Sequence, residues 1–240
     1  MKKTLRVILI SLAVVLGIFI VISVVFMLRF SSVTKSMSPA ETMAINDSVF
    51  CINDRFVNSF IFKGNPGYLM VDACMSRSIV EAELDKLGIS PDKITTILLT
   101  HSDGDHIGAL DLFGNASVYL HTEEEQMING QNSKGFVKFK WKYGDYKVFK
   151  SDEVLNLEGL NIKVHHTPGH TPGSTCFSIN SDYLVTGDNL IYSEGKYLNF
   201  IESVNMDTEE QEESLKTLPE PTNFKYILTA HNGITEVKPR

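Results

Sequence analysis

The sequence has few cysteines and a shortage of positive charge. Its three cysteines, Cys51, Cys74 and Cys176, are widely scattered and form no Cys-x-x-Cys pair, which excludes a disulfide-stapled scaffold and a thiolate zinc finger. Only 22 Lys and Arg residues oppose 29 Asp and Glu residues, a net charge of −7, and this acidic balance argues against a nucleic-acid-binding protein. Hydrophobic residues make up 43% of the 240 positions, which is enough for a packed core.

An uncharged run near the N-terminus, Val7–Leu28, predicts a membrane anchor. A helix of this length crosses a hydrocarbon core of roughly 30 Å. The alternative is a cleavable signal peptide, whose apolar region usually has only about 7–15 residues, so an uncleaved single-pass anchor is favoured. Three basic residues precede the run and two follow it within the next seven positions. The positive-inside rule then predicts a cytoplasmic N-terminus and an extracytoplasmic main domain.

The remaining sequence predicts one α/β domain over residues 41–240, after an anchor and linker over residues 1–40. Helices are expected from Ser76 or Ser78 to Leu87, over His106–Leu112, and from Asp207 to Leu218. Strands are expected at Ser48–Ile52, Phe56–Lys63, Tyr68–Val71, Ile94–Leu99, Ser117–His121, Asp145–Leu157, Asn161–His166, Thr175–Ile179, Tyr183–Thr186 and Tyr226–Thr229. Mixed strands with interspersed helices indicate two sheets with helices outside.

Side chains that bind metal ions are concentrated directly after the apolar strand predicted at Ile94–Leu99. They are His101, Asp103, Asp105 and His106, and Gly104 between them lets the backbone turn tightly. On a strand-to-helix loop, alternate side chains converge on one point while the last histidine faces a second point. Such a loop can therefore contribute to a site for two metal ions.

Three more candidate ligands follow later strands. His170 lies between two Pro-Gly turns, Asp188 follows the strand Tyr183–Thr186, and His231 follows the strand Tyr226–Thr229. Because α/β sheets usually place their sites at the C-terminal ends of strands, we expect these side chains to meet the first four.

With these residues the sequence resembles the metallo-β-lactamase fold superfamily of hydrolases. That family has the motif His-x-His-x-Asp-His, followed by a distal His, an Asp and a final His. The matching positions are His101, Asp105, His106, His170, Asp188 and His231. The resemblance covers residues 45–235 and implies an αββα sandwich. It also implies that Asp72, at the end of the third strand, supports the metal ligands from behind.

The resemblance implies a specific arrangement of two divalent metal ions, with zinc as the expected metal. His101, Asp103 and His170 would hold the first ion, Asp105, His106 and His231 the second, and Asp188 would bridge the two. A water between the ions would lose a proton near neutral pH, be oriented by the catalytic Asp105 and attack a small ester, thioester, lactone or phosphate. A small-molecule substrate is therefore the expected partner.

One position departs from the family motif, because Asp103 replaces its second histidine. A carboxylate is a harder donor than imidazole, which makes iron or manganese an alternative to zinc. This replacement resembles the flavodiiron branch, which has an acidic residue there and binds two irons. A diiron redox protein or a non-catalytic metal-binding module is therefore the alternative function. Asp103 could also act only as a hydrogen-bond partner of a ligand histidine.

The segment Gly130–Lys150 differs from its surroundings in composition. It contains six aromatic residues and the lysines Lys134, Lys138, Lys140, Lys142, Lys147 and Lys150. One interpretation is a lid that attracts an anionic substrate, and another is contact with a lipid surface. The third is an amphipathic hairpin with inward-facing aromatics and solvated lysines.

The remaining histidines, His121, His165 and His166, are not expected to bind metal. Ser102 and Ser174 are interpreted as turn residues and not as nucleophiles, because neither has an evident activating partner.

Overall fold

The computed structural model of the chain describes residues 2–135 and 140–238. Contacts divide it into two compact units, one up to Met37 and one from Ser38 onwards. The first unit contains the helix α1, Lys2–Lys35. Across the described residues, no helix is both long enough and apolar enough to cross a membrane. The predicted anchor over Val7–Leu28 is therefore not confirmed, and it stays a prediction together with the domain boundary after residue 40.

The first sheet of the second unit has seven strands in sequence order. Strands β1 to β4 pair antiparallel and β4 to β7 pair parallel. The strands are β1 Met43–Ala44, β2 Val49–Asp54, β3 Val57–Lys63, β4 Tyr68–Val71, β5 Ile94–Leu98, β6 Ser117–His121 and β7 Tyr146–Phe149. Between them lie the helices α2 Arg77–Lys86, α3 Gly104–Ile107 and α4 Glu125–Ile128. Strand β5 is an inner strand of this sheet and is almost wholly buried, in keeping with its apolar and β-branched sequence.

The second sheet has six strands in the order β15-β14-β11-β10-β9-β8, and only β11 and β14 pair parallel. A separate hairpin is formed by β12 and β13. The strands are β8 Val154–Leu157, β9 Leu160–His166, β10 Thr175–Ile179, β11 Tyr183–Val185, β12 Leu190–Ser193, β13 Lys196–Asn199, β14 Tyr226–Thr229 and β15 Gly233–Glu236. The helix α5, Thr208–Leu215, precedes β14 and is capped by the Asp207 side chain, which accepts from Glu210 N.

Three hydrophobic clusters define four layers. The central cluster lies between the sheets, where the rings of Phe149 and Phe177 meet edge to face at 5.5 Å. Because side chains alternate along a strand, Ile97 lies on the opposite face of the first sheet, in a cluster with Val80 and Leu84 of α2. On the outer face of the second sheet, Leu215 of α5 packs in the third cluster. The predicted αββα sandwich is therefore confirmed.

Two predicted elements differ in the structure. The helix expected over His106–Leu112 is only the single turn α3 and a separate 3₁₀ turn, Leu110–Leu112. The backbone there pairs outside the helix, since His106 O accepts from Ala73 N and Gly108 N donates to Cys74 O.

The second difference concerns Asp145–Leu157, which contains β7 of the first sheet and β8 of the second. A turn at Ser151–Asp152, with Asp152 at a φ of +60°, lies between these two strands. The hairpin β12–β13 and the strand β15 were not predicted at all, because their sequences lack a sustained alternation of polar and apolar residues.

Candidate metal centre

The loop after β5 is held by Asp72, which lies at the end of β4. Asp72 adopts a left-handed φ of +60° and is almost completely buried. Its carboxylate accepts hydrogen bonds from Thr100 N and Thr100 Oγ1, both at 2.8 Å. The start of the ligand-bearing loop is therefore fixed to the neighbouring parallel strand.

All seven predicted ligand residues come together in the structure, in two groups with one carboxylate between them. The first ligand group is His101, Asp103 and His170, and the second ligand group is Asp105, His106 and His231. Within each group, one potential ligand atom of every member lies within 4.8 Å of the others. The loop after β5 contributes to both groups, and the loop after β9 and the end of β14 complete them.

Asp188 lies between the two ligand groups and directs one carboxylate oxygen to each. Its Oδ2 lies 3.5 Å from His170 Nε2 and 3.9 Å from His101 Nε2. Its Oδ1 lies 3.0 Å from His231 Nε2 and 3.2 Å from His106 Nε2. This is the geometry of a carboxylate that can bridge two cations.

The approach of Asp188 depends on the preceding glycine. Gly187 adopts a φ of +56°, and a Cβ at this position would lie 2.4 Å from Thr100 Oγ1. Any other residue would therefore push the end of β11 away from the loop after β5.

The histidines of the second ligand group are oriented from behind. His106 Nδ1 lies 2.9 Å from Asp72 Oδ2, and His231 Nδ1 lies 2.6 Å from Phe56 O. A carboxylate and a carbonyl can only accept, so Nδ1 of each imidazole carries a proton. Nε2 of each ring therefore faces the site.

The same tautomer follows for the first ligand group. Thr100 Oγ1 donates its proton to Asp72, so it accepts from His101 Nδ1 at 3.0 Å. His170 Nδ1 lies 3.1 Å from Asn205 Oδ1, an acceptor. All four histidines thus present a metal-binding Nε2 to the centre.

The donor atoms at the centre fit metal ions. Within the described part of the chain, His101 Nε2, His106 Nε2 and Asp188 Oδ1 are buried and have no hydrogen-bond partner. Unsatisfied buried acceptors are unfavourable, and convergent ones are the usual mark of a cation site. Four imidazoles and three carboxylates supply enough donors and negative charge for two divalent ions.

Comparison with known proteins agrees with this geometry. The model of the "Metallo-beta-lactamase superfamily" matches residues 52–231. The chain belongs to that superfamily. It is 31% identical over 160 residues to the probable metallo-hydrolase YqgX of Bacillus subtilis, an alignment that covers 62% of this chain and 72% of the relative. It is 30% identical over 157 residues to the probable metallo-hydrolase MJ0296 of Methanocaldococcus jannaschii, covering 65% and 66%.

Similarity to solved metallo-beta-lactamase structures extends over most of the chain. MEM-A1, a subclass B3 enzyme from a soil metagenome library, superposes with a TM-score of 0.64 at 18% identity, covering 81% of this chain and 80% of that one. A B3 enzyme with an active-site glutamic acid superposes with a TM-score of 0.63 at 18% identity, covering 85% and 84%. These likenesses establish the fold, and the sequence relatives identify a metallo-hydrolase of the superfamily.

The pKa values of the buried metal-binding side chains are shifted in different directions. Burial and the neighbouring His106 lower the pKa of His101 to about 4. Burial also lowers the pKa of His106, but the carboxylates of Asp188, Asp72 and Asp105 outweigh it and hold that pKa well above its usual value. Burial raises the pKa of Asp188, yet His231 and His106 hold it well below its usual value. The second ligand group therefore concentrates negative charge around its histidines.

Lys134 contacts the first ligand group, a role that the sequence did not indicate. Its Nζ lies 2.6 Å from Asp103 Oδ2 and 2.7 Å from His170 Nε2. In the sequence, Lys134 is one of six lysines in the segment Gly130–Lys150, and no local motif distinguishes it.

The rest of that segment supports inward-facing aromatics but not a hairpin, since the one strand in its described part, β7, pairs parallel with β6. Trp141, Tyr143 and Tyr146 pack against the hydrophobic cluster on the outer face of the first sheet. The Trp141 indole donates to Gly144 O at 2.6 Å, and Trp141 N donates to Ile128 O at 3.0 Å. The predicted lid residues Phe136, Lys138 and Phe139 lie outside the described residues.

Glu124 joins the two loops that supply the first ligand group, and sequence reasoning missed it. Its buried Oε1 accepts from Ser102 N at 2.8 Å and from Ser102 Oγ at 2.5 Å. Its Oε2 accepts from Thr171 Oγ1 at 2.7 Å and from Gly173 N at 3.0 Å. Glu124 lies in a run of three glutamates, a pattern typical of a solvated helix start, so no sequence signal indicates its burial.

The three histidines that were not expected to bind metal have structural partners instead. His165 Nε2 pairs with Ser178 Oγ at 2.6 Å, and His166 Nε2 donates to Pro172 O at 2.8 Å. His121 accepts from Glu123 N and stacks on His166 at 4.0 Å. Among the described residues, none of the three belongs to a ligand group. Ser102 bonds to the Glu124 carboxylate and Ser174 Oγ accepts from Thr171 N, so neither is poised as a nucleophile.

Proposed function

We propose that this chain hydrolyses a small ester, thioester, lactone or phosphate with two divalent metal ions. The observation that carries the proposal is Asp188, whose two carboxylate oxygens face two separate sets of Nε2 atoms. When bound, such ions lower the pKa of a shared water and polarise the bond that is to be broken. The first ligand group, the second ligand group and Asp188 would hold them.

Within this proposal, Asp105 orients the attacking oxygen and accepts its proton. Its Oδ2 lies 3.5 Å from His231 Nε2 and 3.9 Å from His106 Nε2, and its side chain is 23% exposed. Asp105 therefore lies beside the second ligand group and is also partly exposed to solvent. Asp72 keeps His106 in the correct tautomer and fixes Thr100, so it acts as a positioning residue.

Zinc is the metal that we propose, because imidazole nitrogens and carboxylate oxygens are its usual ligands in hydrolases. Asp103 replaces one imidazole by a hard oxygen donor, which favours iron or manganese relative to the family pattern. Metal analysis of the purified protein, compared with Asp103→His, would decide between these metals. Unchanged metal identity, stoichiometry and affinity in the variant would contradict a ligand role for Asp103.

Acyl substrates are the first to test. The N-acyl homoserine lactonase of a Bacillus species is 24% identical over 231 residues, covering 81% of this chain and 83% of that enzyme. An atrochrysone carboxyl ACP thioesterase of Claviceps purpurea is 29% identical over a shorter stretch of 115 residues. These names support lactones and thioesters ahead of phosphates and β-lactams.

The test is a panel of chromogenic lactones, thioesters, aryl esters, phosphodiesters and β-lactams, with protein loaded separately with zinc, manganese or iron. We expect turnover of one acyl class that is lost after chelation and restored by one metal. No turnover with two ions bound, together with an oxygen- or nitric-oxide-dependent reaction, would favour the diiron alternative suggested by Asp103.

We also propose that residues 7–28 anchor the chain in a membrane with the catalytic domain outside the cytoplasm. The support is the uncharged run itself and the exposure of its large apolar side chains, such as Leu12 at 60% and Phe19 at 66%. The full chain should remain in the membrane pellet after alkaline carbonate washing, and protease added to intact cells should digest the domain. Release into the wash would contradict the anchor, and full protection would reverse the topology.

A further inference from the structure

The ammonium group of Lys134 occupies a defined position in the first ligand group. Its Nζ is within hydrogen-bond distance of Asp103 Oδ2 and His170 Nε2, and these two acceptors are themselves 3.2 Å apart. Two acceptors at that separation repel each other unless a donor or cation joins them. Lys134 supplies both a positive charge and the protons, and its side chain is 24% exposed.

These contacts use the atoms that a metal ion would need. The His170 proton is on Nδ1 because Asn205 Oδ1 accepts it, so Nε2 carries a single lone pair. That lone pair can accept from Lys134 or bind a metal ion, but it cannot do both. The charge of a bound divalent ion would in addition repel an ammonium group at the same carboxylate oxygen.

The second ligand group differs in its ion pairs. Among the described residues, no lysine or arginine forms an ion pair with Asp105 or Asp188. One histidine Nε2 in each group, that of His101 and that of His106, has no hydrogen-bond partner. Two groups of the same composition, one aspartate and two histidines each, therefore differ in whether an ammonium group pairs with the aspartate and one of the histidines.

We propose that Lys134 is an internal cation that competes with a metal ion for the first ligand group. The competition makes the two metal sites unequal, so the second ligand group fills first and more tightly. Filling of the first ligand group then requires Lys134 to leave Asp103 and His170. This inference rests on the proposed metal centre. It adds that Lys134 determines which ligand group binds a metal ion first and how tightly the other one binds.

The test measures zinc binding to the metal-free full chain by calorimetric titration with a competing chelator. Lys134→Met removes the charge and keeps the length, Lys134→Arg keeps the charge, and Lys150→Met is the matched control for a lost surface lysine. We expect two unequal zinc steps in the wild type and in Lys150→Met. In Lys134→Met the weaker step should tighten by about 10- to 100-fold, the range for losing charge-assisted hydrogen bonds, and the tighter step should not change. Lys134→Arg should keep the weaker step weak.

The steps are assigned with single ligand variants. His170→Ala should remove the weaker step and His231→Ala the tighter one. A second readout follows the lysine itself, by mass spectrometry after brief reductive methylation. Lys134 should become more reactive once zinc exceeds one equivalent, because it loses its two partners, and Lys150 should not change.

The possible outcomes separate this inference from the proposed function. An unchanged or weakened second step in folded Lys134→Met, or Lys134 reactivity that is independent of zinc, overturns the competition and leaves the metal centre intact. If the folded wild type and all variants take up no zinc, manganese or iron, the proposed function fails, and this inference fails with it.

Discussion

The two ligand groups have the same composition but different surroundings. Each has one aspartate and two histidines, and each histidine presents Nε2 to the centre because its Nδ1 proton is engaged. Behind the second group stands the carboxylate of Asp72, whereas the first group faces the ammonium of Lys134. A charge next to a ligand therefore distinguishes sites that the ligand set alone would make equivalent.

The largest effect on both ligand groups is expected from replacing Asp188, the residue that they share. Asp188→Ala should reduce the metal content from two ions towards one or none. Each group loses an oxygen donor, and the negative charge that offsets the charge of the two ions is reduced by one. Hydrolytic activity should fall by more than about 100-fold, beyond the range for residues that only support ligands. Metal analysis and turnover measurements test this, and retention of two tightly bound ions would contradict the bridging role.

A more selective change separates the two groups. Asp72→Asn should weaken the tighter zinc step by about 10- to 100-fold, because the amide no longer fixes His106. It should weaken the other step less, because Asp72 reaches His101 only through Thr100. Asn205→Ala is the matched variant for the first group, since Asn205 supports only His170 there. It should affect the weaker zinc step instead. Equal effects of both variants on both steps would show that the groups do not act separately.

The hydrogen-bonding role of Glu124 concerns the first group alone. Glu124→Gln exchanges one acceptor oxygen for an NH₂ group that faces donors from Ser102, Thr171 or Gly173. We expect the free energy of unfolding of the metal-free protein to fall by about 1–3 kcal/mol, the range for a lost buried acceptor. Urea unfolding measures this, with Glu123→Gln as the exposed neighbouring control. An effect no larger than that of the control would mean that the two loops hold together without Glu124.

The smallest expected effect concerns a histidine outside both groups. Burial lowers the pKa of His165 to about 4. Between pH 6.5 and 4 the unfolded chain binds a proton at this residue that the folded chain does not bind, so the folded state loses stability as the pH falls. Glutamine has no group that titrates in this range, so His165→Gln does not lose stability in this way as the pH falls. Its stability deficit relative to the wild type should therefore shrink by about 1–2 kcal/mol from pH 7 to pH 5.

Thermal unfolding at the two pH values measures that change, with and without zinc. Because His165 bonds to Ser178 and to neither ligand group, the shrinkage should be the same in both metal states. A constant deficit across the pH range would contradict the burial of a neutral His165.

Much of the fold and of the centre could be predicted from the sequence, because its signals are local. Apolar and β-branched strands such as Ile94–Leu98 indicate a buried sheet, and the ligands lie in the loops that follow strand ends. The position of Asp72 came from the family resemblance. The ligand roles themselves stay predictions, although the structure places these side chains together.

The residues that the sequence did not reveal are those whose partners are distant in the chain. Glu124 contacts Thr171 and Gly173, and Lys134 contacts Asp103 and His170, through tertiary structure alone. A glutamate in an acidic run and a lysine in a basic segment look solvated until the fold brings their partners to them. Composition carries no information on which of six lysines enters the centre.

The packing of Trp141 has a practical consequence. It is the only tryptophan in the sequence, it lies on the same segment as Lys134, and its ring is in contact with Tyr143 and Tyr146. Its fluorescence emission therefore reports on one side of the molecule only, without any attached dye. A stopped-flow trace of that emission would show whether the surroundings of Trp141 change as each ion arrives.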